Sequence, residues 1–81
     1  MLALKPVRHL TRAQIEKCAD HVSMGSSVCI YVDGHIINVD GNVFKMNGES
    51  LFLPFEVKWL AIVGSTGVYV SDMKSIYLIT E

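Results

Sequence analysis

The sequence is poor in charge, cysteine and proline, and it lacks any long uninterrupted apolar run. Lys and Arg total 7 against 8 Asp and Glu, giving a net charge of −1 and 19% charged residues over 81 positions. With no positive excess there is no bulk field to draw in nucleic acid or an anionic membrane, so such a contact would have to be local. Two cysteines, Cys18 and Cys29, cannot build a disulfide framework and have no partners at metal-ligand spacing. A reduced cytoplasmic setting is expected, with both thiols acting as small buried apolar groups. The longest uncharged stretch, Trp59 to Ser71, is cut by Gly64, Ser65, Thr66 and Gly67, well short of the ~20 apolar residues of a spanning helix. The first ten residues are interrupted by Lys5, Pro6, Arg8 and His9, the wrong order for a secretory leader. A soluble protein without a membrane segment is expected. Against these absences stands an apolar content of 51%, enough to fill a compact core and too much for a disordered chain.

One helix start is well specified. With Thr11 as N-cap, its hydroxyl can accept from the amide of Gln14 while the Gln14 side chain returns a bond to the Thr11 amide, and Leu10 and Ile15 stand at the staple positions. Ile15, Cys18, Ala19 and Val22 then recur at i, i+3, i+4 and i+7 as one apolar stripe, with Gly25 as the stop. The spacing predicts a helix over 11–24, too short to persist alone and therefore docked on the rest of the chain.

Three dipeptides, Asp33-Gly34, Asp40-Gly41 and Asn47-Gly48, suit two-residue hairpin turns, in which positive φ is needed. Following the pleat through them puts Val28, Ile30, Val32, His35, Ile37, Val39, Asn42, Phe44, Met46, Glu49, Leu51 and Leu53 on one face. The other face collects Cys29, Tyr31, Ile36, Asn38, Val43, Lys45, Ser50 and Phe52. The first is apolar except just after each turn, where water reaches the sheet margin.

Pro54 cannot donate to a ladder, so the ribbon ends or bends there. Beyond it, residues 55–63 alternate and carry β-branched side chains, which favours a strand although a helix also fits the spacing. Gly64-Ser65-Thr66-Gly67 turns it into Val68-Tyr69-Val70, and residues 72–75 turn that into a last strand over 76–80. Residues 1–10 form an arm or an edge strand through Leu2 and Leu4. The expected fold is one α+β domain over 1–81: an N-terminal helix packed on an antiparallel meander, or a small partly closed barrel, of about five or six strands spanning 27–80.

Few residues offer chemistry. His9, His21 and His35 have no pairwise spacing suited to zinc, and the aspartates flanking His35 are explained as turn formers. No serine or cysteine stands in a nucleophile setting, so no catalytic residue, cofactor or metal is assigned and the chain is not expected to be an enzyme. The loop at 64–67 has the spacing of a phosphate clamp but no basic residue. Lys5, Arg8, His9 and Arg12 make the only positive cluster, and Lys5, Arg8 and Arg12 are the candidate contact for a polyanion.

The uncharged later strands are the informative feature. Strands apolar on both faces must be covered on both faces, by closing a barrel or by another chain. Trp59, Leu60, Ile62 and Tyr69, with Tyr31 and Phe52 of the mixed face, are therefore the candidate partner or oligomer interface. The expectation is a non-catalytic interaction module, a homodimer or other oligomer, acting as an accessory regulator or inhibitor bound to a larger macromolecule. A helix followed by about five antiparallel strands also resembles the element order of Sm-like proteins, and Val28-Cys29-Ile30-Tyr31-Val32-Asp33-Gly34 is similar to their first strand and turn. That resemblance implies a small barrel that binds nucleic acid, but the basic and aromatic loop residues such a role would use are missing here. It is the alternative reading.

Overall fold

The computed structural model describes residues 1–25, 27–32, 34–63 and 67–81. It is built of β1 (Ala3–Val7), α1 (Arg12–Glu16), β2 (Asp20–Ser23), β3 (Ser27–Val32), β4 (His35–Asp40), β5 (Val43–Met46), β6 (Glu49–Phe52), β7 (Trp59–Val63), β8 (Gly67–Ser71) and β9 (Ile76–Thr80). The strands form two antiparallel sheets, one ordered β1-β9-β8-β7-β2 and the other β3-β4-β5-β6. Their inner faces meet in one core: Ile37, Val39, Phe44 and Met46 of the four-stranded sheet against Leu60, Val68, Val70 and Ile79 of the five-stranded one.

The expected α+β architecture is overturned. Among the described residues the only helix is α1, five residues long, and the next element is already a strand, so this is a mostly β protein and not a helix packed on a sheet. The cap at Thr11 is as expected, with the Thr11 hydroxyl accepting from the Gln14 amide and the Gln14 side chain accepting from the Thr11 amide. The helix fails after one turn because Cys18, Asp20, His21, Val22 and Ser23 are all weak helix formers. The backbone of 20–23 finds a better use as β2, pairing with β7 so that Val22 opposes Leu60 and Ser23 opposes Trp59. Of the expected stripe only Ile15 is fully buried, and Cys18 is exposed. Among the described residues the strand count also exceeds the five or six expected: seven, β3 to β9, lie within 27–80, and β1 joining β9 and β2 joining β7 add two more.

The meander over 28–53 keeps its expected faces. Val28 opposes Val39, Ile30 opposes Ile37, Val39 opposes Phe44 and Phe44 opposes Leu51. The middle turn is Gly41-Asn42 rather than Asp40-Gly41, since Asp40 pairs with Val43. Gly41 alone has positive φ there, +61°, as a type II′ turn requires, whereas Asn47 and Gly48 both do, at 51° and 88°, as type I′ requires. Moving a turn by one residue moves the pairing by two, so no side chain changes face. Asp33, the first residue of the expected Asp33-Gly34 turn, and residues 64–66 of the expected Gly64–Gly67 loop lie outside the described residues.

Residues 55–63 are only partly the expected strand, which begins at Trp59. Before it, Val57 donates its amide to Gly41 and Lys58 donates to Ser71, so the chain crosses from one sheet to the other. Phe55 and Val57 consequently join the central core, stacked or packed with Tyr77 and its neighbours, while Trp59 and Ala61 face the other way.

Candidate functional site

The later strands are sheltered from within the chain. On β7 the inward Leu60 and Ile62 meet the opposite sheet, and the outward Trp59 and Ala61 are covered by Ile15 of α1 together with Leu10 and Ala19. Trp59 is 0% exposed and Leu60 1% exposed, so neither is presented to a partner, and Ile62 and Tyr69 are half-buried. Trp59 keeps a polar contact in this cover: its indole Nε1 donates to Glu16 Oε2 at 2.9 Å, and His21 Nε2 stands 3.9 Å from the same oxygen. The indole N–H therefore finds the acceptor that burial demands.

The uncovered apolar surface lies on the outside of the four-stranded sheet. Tyr31 is 75% exposed, Phe52 74% and Ile36 55%. Tyr31 directly opposes Ile36 across β3 and β4, and Val43 opposes Phe52 across β5 and β6. Between these ends run Cys29, Asn38, Lys45 and Ser50, all exposed, so Lys45 is the charge in the middle of the face, and the exposed Asp40, opposite Val43, is a second charge at the Phe52 end. Cys18 and Cys29 are both exposed, contrary to the expectation of buried thiols: Cys18 because its helix has ended, Cys29 because it alternates onto this outer face.

The β5–β6 turn is tied back to β4 by Asn47. Its backbone N–H donates to the Ile36 carbonyl, its Oδ1 accepts from the Ile36 amide at 3.1 Å, and its Nδ2 donates to His35 Nδ1 at 2.8 Å. These bonds favour Asn at a left-handed position and give His35 a structural partner. Among the described residues no group of three His, Cys, Asp or Glu side chains could hold a metal ion. Among them, too, Asp72 carries the one resolved pKa shift: its carboxyl is held below the ordinary value of 3.8, first by the Ser75 amide and then by the Lys74 amide. Both donors belong to the β8–β9 turn, where Met73 has φ 78°, so the shift has a structural cause.

Of the basic residues singled out by sequence, Arg8 and Arg12 converge on a cleft of about 750 Å³ between the β1–α1 connection and the β8–β9 turn. Lys74, which the sequence did not bring to notice, lines it from the other side, and Glu16 is its acid. Among the described residues neither arginine makes a salt bridge. Lys5 does not line this cleft; it lies on β1 opposite Leu78. Ile36 was legible as a residue of the mixed face, and the expected Asp33-Gly34 turn already sets it opposite Tyr31, but it was not among the candidate interface residues, where its exposure beside Tyr31 puts it. Comparison with protein-family models, with curated proteins and with solved structures returns no match.

Proposed function

We propose that this chain is a non-catalytic interaction protein that self-associates and acts by binding a larger macromolecule, as an accessory regulator or inhibitor. The observation that carries the reading is the outer face of β3–β6, where Tyr31, Ile36 and Phe52 stand exposed although the core could not use them. Aromatic and branched apolar side chains gathered on one face, with Asp40 and Lys45 as its charges, match the composition of protein interfaces rather than of solvated surface. Light scattering behind gel filtration tests it. A mass above one chain that falls in a Tyr31→Ser variant of unchanged circular dichroism is expected. A single-chain mass at the highest soluble concentration, together with no macromolecule retained in a pulldown, would overturn it.

A second reading has its own observation, Arg8 and Arg12 facing Lys74 across the cleft with no salt bridge to either arginine among the described residues. Three cations around one opening suit a phosphate chain, and the affinity would then fall with added salt. Fluorescence anisotropy with labelled single strands decides it: no affinity at low salt removes nucleic-acid binding from consideration.

A further inference from the structure

The two sheets present four edge strands, β1 and β2 on one and β3 and β6 on the other. An open edge is a row of unpaired amides and carbonyls that templates another strand, and proteins blunt such edges with charge, proline or brevity. Three of the four are blunted in this way. β1 carries Lys5 and Pro6, β2 is four residues long with Asp20 at its start, and β6 is four residues long with Glu49. β3 is six residues, Ser27–Val32, with neither charge nor proline.

A second observation marks the same edge. The inward residues of β4, Ile37 and Val39, are 1% and 0% exposed, yet Val28, Ile30 and Val32 of β3 are only half-buried because no further strand of the described chain lies beyond them. An apolar gap of about 270 Å³ opens there, between β3 and Val22, Leu60 and Ile62 of the other sheet. The core is thus unfinished along β3.

The direction of the β3 backbone groups follows from the ladder. Asn47 donates to the Ile36 carbonyl, so Ile36, Asn38 and Asp40 aim their groups at β5. By alternation His35, Ile37 and Val39 aim theirs at β3, where they meet Val32, Ile30 and Val28. Ser27, Cys29 and Tyr31 are left pointing their N–H and C=O groups out of the open edge.

We propose that β3 pairs antiparallel with β3 of a second copy of this chain, about a two-fold axis through Cys29. This deepens the self-association proposed above and rests on it. A second copy fits better than a foreign strand because self-pairing sets every charge of a strand near its own kind, and β3 is the edge that has none. In this register Ser27 opposes Tyr31 of the second copy and Val28 opposes its Ile30, so a small residue meets the largest one on the outer face. Ser27, Cys29 and Tyr31 then exchange about six backbone hydrogen bonds with the same three residues of the copy. The two four-stranded sheets become one continuous sheet. Its inner faces lie on one side, and two Tyr31–Ile36 pairs lie on the other.

Two variants and one probe test this on the full chain. Cys29→Lys sets two ammonium groups opposite each other on the axis and leaves the monomer intact, since Cys29 is exposed; Cys29→Ser keeps the strand neutral. Light scattering should give a dimer for the parent and Cys29→Ser and a monomer for Cys29→Lys, with circular dichroism unchanged in all three. In a Cys18→Ser background, a mild two-electron oxidant should join Cys29 to Cys29 of the copy, because a hydrogen-bonded pair has Cα atoms about 5.5 Å apart, within disulfide range. A dimer that survives Cys29→Lys and does not cross-link overturns the β3 pairing and leaves the self-association reading standing. A parent that is monomeric throughout overturns both.

Discussion

Gly67 opens β8, a central strand, and substituting it isolates one consequence of the sheet packing. Its φ is +156°, and a Cβ built there would lie 2.9 Å from the Ile79 carbonyl oxygen, 2.9 Å from Leu78 Cδ1 and 3.3 Å from Thr80 Cγ2. Leu78 and Thr80 can rotate away, but the Ile79 carbonyl belongs to the β8–β9 ladder and moves only with its strand. Gly67→Ala therefore combines backbone strain of roughly 1–3 kcal/mol with an overpacking cost of roughly 1–3 kcal/mol. A loss of about 2–6 kcal/mol is expected, each kcal/mol being worth roughly 4–8 °C in Tm for a chain of this size. Gly25 is the internal control: nothing lies within 4 Å of its would-be Cβ and its φ is not positive, so Gly25→Ala should be close to silent. Urea unfolding followed by the fluorescence of the buried Trp59 measures both. A Gly67→Ala loss under about 1 kcal/mol, or equal losses at the two positions, would refute the close approach of β8 to β9.

Other expectations rest on single contacts. Phe44→Ala empties a 0%-exposed position between the sheets and should cost about 3–5 kcal/mol in the same urea experiment, whereas Phe52→Ala should leave the unfolding midpoint of the monomer nearly unchanged. Thr11→Ala removes the acceptor of the Gln14 amide and should cost about 1 kcal/mol; a silent result would mean that α1 is held by Ile15 alone. Asp72 is lowered in the folded chain by the Ser75 and Lys74 amides, so its contribution is fully present above its unfolded value of 3.8 and is lost as pH falls through the lower folded value. Parent and Asp72→Asn should accordingly converge in stability in strong acid, and a difference that grows there would contradict the turn bonds.

The sheet faces were legible because side-chain alternation survives a turn misplaced by one residue: Asp40-Gly41 and Gly41-Asn42 give different partners but the same inward set, Ile37, Val39, Phe44 and Met46. The last hairpin was legible for a similar reason, Asp72 marking a turn whose amides it then caps. The helix was misjudged because the cap at Thr11 is a local signal and the length of a helix is not. Whether residues 20–23 extend it or pair with β7 depends on an edge that the sequence places some forty residues away. The same non-local fact decides Trp59. Its covering residues, Leu10, Ile15 and Ala19, are remote in sequence, so an apolar strand that reads as needing another chain is in fact roofed by its own. Conversely, the half-finished core beside β3 is invisible in the sequence, since Val28, Ile30 and Val32 alternate as any buried strand would.

Amide hydrogen exchange along β3, read residue by residue at low and high protein concentration, addresses the open edge most directly. The Ile30 and Val32 amides, aimed at β4, should be protected at both concentrations, and the Cys29 and Tyr31 amides only at the high one. Cys29 and Tyr31 amides that exchange freely at every concentration, in a sample whose mass exceeds one chain, would contradict the assignment of β3 as the joining edge.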